Sequence, residues 1–175
     1  GPTSAGGADP KFFNGNGDFR GIKFELYEGG IRCPMIARWP GQIAAGIEID
    51  HISAHWDVLP TVAELASAET PDNIDGISFL PSLLGKPQTN QHEYLYWETG
   101  GRSGWQAMRK GDWKAHLQKV GLPAKTTFEL YNLASDLAEE NEISAAHPEV
   151  SAEMKELMAA ARTVPQGNAE ILVAS

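Results

Sequence analysis

The sequence predicts an α/β chain that ends in a small antiparallel sheet packed by one helix. Three observations predict it. Residues 93–97, 105–109, 113–117 and 128–131 read as four short strands, and Lys110-Gly111-Asp112 is a tight turn that joins the middle two into a hairpin. After Pro148, residues Val150, Met154, Leu157, Met158 and Ala161 fall at i, i+4, i+7, i+8 and i+11, one apolar face of a helix over 148–162. Further upstream, a run suited to a buried strand is followed by a helical pattern, which is the texture of an α/β layer. The boundary between the two textures falls near residue 88. Residues 1–88 are expected to finish an α/β domain, and 89–175 to form a small α+β subdomain.

Each element has a local reason. Residues 1–20 are rich in Gly, Pro, Asn and Asp and read as a loop carrying Phe12-Phe13. A domain rarely opens on such a stretch unless something upstream holds it. Residues 34–39 form a short apolar run closed by Pro40-Gly41, which fits a strand buried in a sheet. Asp57 is placed to cap a helix carrying Val58, Leu59, Val62, Leu65 and Ala66, with Pro60 in its first turn, where proline is tolerated. Residues 67–92 read as loop with an apolar patch over 77–84. The tail after Pro165 has no pattern.

Composition narrows the function classes. The chain has 175 residues, 42% of them hydrophobic, which suits a packed core and argues against disorder. A net charge of −9 disfavours a nucleic-acid partner. Cys33 is the single cysteine, so neither an intrachain disulfide nor a cysteine-based zinc site is available. No apolar run reaches the roughly 20 residues of a membrane span, and no signal peptide is visible.

The chemistry concentrates at Lys23-Phe-Glu-Leu-Tyr-Glu28-Gly29-Gly30-Ile-Arg32-Cys-Pro34. Gly21-Ile-Lys23, then Glu28-Gly-Gly-Ile-Arg32-x-Pro34, then Trp39-Pro40-Gly41, resembles the second signature region of the type I, formylglycine-dependent sulfatases, the arylsulfatase family. Downstream segments resemble it too. Asp57-Val-Leu-Pro60-Thr61 and Asp75-Gly76-Ile-Ser-Phe-Leu are similar to family segments. So are Arg109-Lys-Gly-Asp-Trp113-Lys114, Phe128-Glu-Leu-Tyr131-Asn-Leu and the turn from Asp136 to Asn141. Together they cover about residues 9 to 162, in the family's order.

The resemblance implies the C-terminal part of an alkaline-phosphatase-like fold and hydrolysis of sulfate monoesters. It implies a formylglycine nucleophile and a calcium ion in the full-length protein, neither supplied by this chain. The family's Asp-Asn-Gly segment is expected directly before Gly1. The resemblance gives Lys23 a catalytic role: contact with the sulfate, and stabilisation of charge on the bridging oxygen as the ester breaks. An ammonium aimed at developing negative charge stabilises the transition state more than the ground state. Glu28 and Arg32 are expected to be structural, pairing with each other or with backbone around the glycine turn.

Other residues are weighed against this. Cys33 has Pro at +1 and Arg at +5, not the +2 and +4 of a formylglycine precursor, and reads as a small apolar core residue. Asp9, Asn14 and Asp18 lack the spacing of a calcium loop. His51 and His55 flank a helix start, and His92, His116 and His147 read as surface or sheet residues. Trp97, Glu98 and Arg102, around a Gly-rich loop, are candidates to contact a sugar or a second sulfate. Expected partners are a sulfated small molecule or glycan, with no nucleic acid and no membrane, and association through apolar surface bared by truncation. The family favours a periplasmic or secreted protein. A phosphodiesterase or phosphonate hydrolase on the same scaffold, and a non-catalytic carbohydrate-binding module, are the alternatives.

Overall fold

The computed structural model describes residues 1–100 and 104–162. The chain divides into two compact units, one made of Gly1–Cys33 with the chain from Tyr94 on, the other of Pro34–Glu93.

The first unit is built on four antiparallel strands in sequence order: β1 (Leu95–Thr99), β2 (Trp105–Lys110), β3 (Trp113–Gln118) and β4 (Thr127–Asn132). The expected hairpin is present. Gly111 takes φ 57 between β2 and β3, and Trp105 pairs with Gln118 at its far end. Register decides the two faces, because side chains alternate along each strand. Met108, Ala115 and Leu130 are cross-strand neighbours on one face. They pack against Met154 and Met158 of the helix Pro148–Ala161 in a fully buried cluster. That helix is the one read from the sequence, and its apolar stripe faces the sheet.

The other face carries Trp97, Arg109, Lys114, His116, Glu129 and Tyr131. It is covered by the segment around residues 19–32. This segment includes the short helical turn Glu28–Ile31, whose neighbours Leu26 and Tyr27 are buried. A single turn, Pro10–Phe13, precedes it and is capped by Asp9, whose Oδ1 accepts from the Lys11 and Phe12 amides at 2.9 and 3.1 Å. Asp9 therefore serves as a cap.

In the second unit the helix Val58–Ala66 forms where its spacing predicts. Its Val58, Leu59, Val62 and Leu65 are exposed, whereas Pro60, Thr61 and Ala63 are buried. The packed side is thus the polar-anchored one. Asp57 does not cap the helix amides. Its Oδ2 accepts from the Ala54 amide at 2.7 Å, and its Oδ1 from the Ile77 amide at 2.9 Å and His92 Nε2 at 2.8 Å. Thr61 Oγ donates to the Asp57 carbonyl at 2.6 Å and accepts from the Phe79 amide at 3.1 Å. Gly76 has to be glycine here, since a Cβ would overlap the Trp56 carbonyl. These bonds tie the helix start to the segment around Gly76–Phe79 and to the short turn Leu80–Leu83. His92 is accordingly a partner of a buried carboxylate.

Two more expectations are corrected. Residues 34–39 form no strand, and Ile36 is 95% exposed. A strand needs an adjacent edge to satisfy its amides, and the unit Pro34–Glu93 contains no strand to offer one to this run, which is bracketed by two prolines that lack an N–H. Cys33 is exposed, not a core residue, because it leaves the packed turn Glu28–Ile31 and enters that unpaired run.

Candidate functional site

The candidate site grows from the glycine turn. Gly29 and Gly30 are required by space. A Cβ on Gly29 would lie 2.6–2.7 Å from the carbonyl oxygens of Arg20, Gly21 and Phe19, and one on Gly30 would overlap the Glu25 carbonyl. This closeness lets the Gly29 amide donate to the Arg20 carbonyl at 2.7 Å, closing residues 20–29 into a loop. Inside the loop the Glu25 amide donates to the Ile22 carbonyl at 2.9 Å, and the Ile22 amide donates to Glu25 Oε2 at 2.8 Å. Phe24 takes φ 79, a left-handed conformation that costs a non-glycine residue about 1–2 kcal/mol. Lys23 stands on this turn with its side chain exposed. Its Nζ lies 5.1 Å from the Phe24 ring centroid and makes no ion pair among the described residues.

Beneath the loop lies a buried ionic cluster. Lys114 is 0% exposed, and its ammonium donates to Glu28 Oε1 at 2.6 Å and lies 3.7 Å from Glu139 Oε1. Arg32 Nε donates to Glu28 Oε2 at 2.7 Å, one of the two pairings the sequence left open, and Arg109 Nη1 is 3.8 Å from the same oxygen. Glu139 Oε2 accepts from the Glu28 amide at 2.6 Å, and Glu139 Oε1 accepts from His116 Nε2 at 2.7 Å. Burial would raise the Glu28 carboxyl, but the charges of Lys114 and Arg32 override it and hold the group below the ordinary carboxylate range. Burial also pushes His116 below its usual value, and the neighbouring Lys114 ammonium adds to that, against the opposing pull of Glu139. His116 is therefore a neutral ring that donates from Nε2. Its Nδ1 is buried without a hydrogen-bond partner among the described residues, so a second proton there would be an unmatched donor.

A second layer flanks this cluster. Tyr27 donates to Glu129 Oε2 at 2.8 Å and accepts from Gln118 at 2.9 Å, while Tyr131 donates to the same Glu129 oxygen at 3.0 Å. Burial, helped by Glu129, raises both phenols, Tyr131 to about 12, so both stay protonated donors at neutral pH. The Arg20 guanidinium stacks 3.8 Å from the Tyr27 ring centroid and donates to the Glu139 carbonyl at 2.8 Å.

Two of the residues singled out in the sequence, the neighbours Trp97 and Glu98, do not share one face of the sheet. Trp97 lies 5.4 Å from the Lys114 ammonium on the polar face. Glu98 accepts from Tyr96 at 2.6 Å, from Gln106 at 3.2 Å and from Arg162 at 3.2 Å. Arg102 lies outside the described residues. Sequence reasoning missed Lys114, His116 and Glu139. The available signal was period two: Lys114, His116 and Gln118 alternate with apolar Trp113, Ala115 and Leu117, which marks one polar face on a strand. Among the described residues, no group of three or more His, Cys, Asp or Glu side chains could hold a metal ion. Exposed Cys33 also lacks the spacing for formylglycine, so no step is assigned to calcium or formylglycine on residues of this chain.

Comparison with known proteins agrees with the motifs. Residues 20–164 match the family described as N-sulphoglucosamine sulphohydrolase, C-terminal. The chain belongs to the sulfatase family, in its C-terminal region, and shares the alkaline-phosphatase-like fold of those enzymes. It is similar to steryl-sulfatase of Rattus norvegicus, 48% identical over 83 residues covering 46% of this chain and 14% of the relative. It is also similar to the N-acetylgalactosamine-6-O-sulfatase of Bacteroides thetaiotaomicron, 29% identical over 160 residues covering 84% of this chain and 30% of the relative. A solved sulfatase structure, titled for glycosaminoglycan metabolism by Bacteroides thetaiotaomicron, aligns with a TM-score of 0.69 at 28% identity. That alignment covers 87% of this chain and 35% of the other. The chain thus spans from about a seventh to a third of the length of these relatives.

Proposed function

We propose that this chain belongs to an enzyme that hydrolyses sulfate monoesters, and that Lys23 is its contribution to the reacting centre. The observation that carries the reading is the contrast around Lys23. The loop's base is held by buried, fully paired charges, while the lysine it presents is exposed and without an ion pair among the described residues. In the reaction the ammonium would contact a sulfate oxygen and stabilise negative charge on the bridging oxygen as the bond breaks. A formylglycine hydrate would supply the nucleophile, and calcium would neutralise charge on the sulfate oxygens. Neither is held by residues described here, so the 175-residue chain by itself is expected to be inactive.

The same reading assigns residues 1–88 to the end of the catalytic α/β domain and 89–175 to its C-terminal subdomain. It favours a sulfated small molecule or glycan as substrate, since relatives include sulfatases of a steroid and of an amino sugar by name. It also favours a compartment outside the cytoplasm. No helix among the described residues is long and apolar enough to cross a membrane.

The test is Lys23→Ala in the full-length protein, with turnover of p-nitrophenyl sulfate compared against the phosphate analogue. Turnover of the sulfate should fall by about 10²–10³-fold, the loss typical of one oxyanion donor. Unchanged turnover refutes the role of Lys23. A preference for the phosphate ester refutes the sulfatase reading, whereas hydrolysis of the sulfate by the purified 175-residue chain overturns only the expectation that this chain alone is inactive.

A further inference from the structure

We propose that Glu139 is the positioning residue for Lys23, acting through both ends of the loop that carries it; the proposal rests on the reading of Lys23 as the sulfate contact. The loop over residues 20–29 closes at a neck where the Gly29 amide meets the Arg20 carbonyl at 2.7 Å. Glu139 grips both sides of that neck. Its carbonyl accepts from Arg20 Nη1 at 2.8 Å, and its Oε2 accepts from the Glu28 amide at 2.6 Å. The other carboxylate oxygen is fixed from the sheet, by His116 Nε2 at 2.7 Å and by the Lys114 ammonium 3.7 Å away. Glu139 itself is fully buried and held at φ 55 in a turn whose amides at Glu140 and Asn141 are tied to Asp136 at 3.1 and 2.8 Å. A charged residue kept in a left-handed conformation, with every oxygen spoken for, is over-determined in position.

Lys23 lies three residues past Arg20, on a turn braced by its own Ile22–Glu25 bonds. The turn therefore moves with the neck as one body, and displacement of the neck displaces the lysine. An electrostatic contact to a reacting oxygen tolerates little misplacement, and about 1 Å can cost about 10²-fold in rate. Glu139→Gln keeps the size of the side chain but removes the charge held between Lys114 and His116. It turns one oxygen into an amide donor that cannot accept from both His116 and the Glu28 amide.

The test is a double-mutant cycle on turnover of p-nitrophenyl sulfate by the full-length enzyme, per folded molecule. Glu139→Gln is expected to lower kcat about 10-fold with KM within about 2-fold. In a Lys23→Ala background the same change is expected to cost less than about 2-fold, because the contact it positions is already gone. Amide exchange over residues 21–30 should quicken, with the strand amides unchanged. Arg20→Met, which cuts the other grip and leaves the carboxylate in place, should repeat the pattern and decides the matter if Glu139→Gln does not fold. Equal losses in both backgrounds, or full activity in both variants, overturn the proposal while leaving Lys23 as it stands. Wild-type turnover in Lys23→Ala alone sinks the reading of Lys23 and the proposal with it.

Discussion

Lys114→Met tests whether the polar face of the sheet is held by charge. The ammonium lies 2.6 Å from Glu28 Oε1 and 3.7 Å from Glu139 Oε1, with Lys114 and Glu139 0% and Glu28 2% exposed. At an effective dielectric of about 20, unit charges roughly 3 Å apart attract by about 5 kcal/mol. Desolvation offsets much of that in the intact pair, but removing one partner leaves the carboxylates buried and uncompensated, at about 3–5 kcal/mol. Arg32 at 2.7 Å and Arg109 at 3.8 Å remain beside Glu28, which puts the expected loss at the low end, about 3 kcal/mol. Methionine keeps most of the lysine stem volume, so a cavity adds little. Trp97, Trp105 and Trp113 lie in the strands, and their fluorescence reports urea unfolding of this unit. With a slope of about 2 kcal/mol per M, the midpoint should fall by about 1.5 M. Combined with Glu28→Gln, the two changes should couple by about 2 kcal/mol. A single-variant loss below about 1 kcal/mol, or strict additivity, refutes the argument that these charges depend on one another.

Two further outcomes follow, one from the same cluster and one from the glycine turn above it. His116 sits below its ordinary pKa of 6.5, so the unfolded chain binds a proton that the folded one refuses. Its stabilising effect is complete above pH 6.5 and is lost as pH falls from there toward the lowered value. Glu28, held below its ordinary 4.5, contributes stability that is full above pH 4.5 and disappears as pH falls through its folded value. Thermal melts should decline from about pH 7 to about pH 5, and His116→Gln should flatten that arm; a Tm constant across the window contradicts the assignment. Gly30→Ala places a methyl on the Glu25 carbonyl and 2.8 Å from the Ile22 carbonyl. It should cost about 3 kcal/mol by urea unfolding, whereas a neutral result would mean that the loop closes differently.

Much of the second half was legible because its signals are local. Lys110-Gly111-Asp112 specifies a turn within three residues, and the apolar stripe from Val150 to Ala161 specifies both the helix Pro148–Ala161 and its packed face. The run at 34–39 misled because hydrophobicity alone does not supply a neighbouring edge. The stripe on Val58–Ala66 predicted the helix correctly, yet its buried side is set by Asp57 and Thr61, whose hydrogen bonds reach to Ile77 and Phe79. Trp97 and Glu98 are adjacent in sequence, and that adjacency itself sends them to opposite faces of a strand.

The sequence by itself determined the family, through ordered motifs, and with it the expectation for Lys23. It also determined the hairpin and the last helix, and it marked Glu28 and Arg32, four residues on, as structural; the tertiary structure pairs them with each other. Only the tertiary structure decided what lies beneath the Lys23 loop. Lys114 and Glu28 are 86 positions apart, and Glu139 and Glu28 are 111 apart. Charge pairing acts through space between groups brought out of water, and no local pattern encodes which distant carboxylate a buried ammonium will meet.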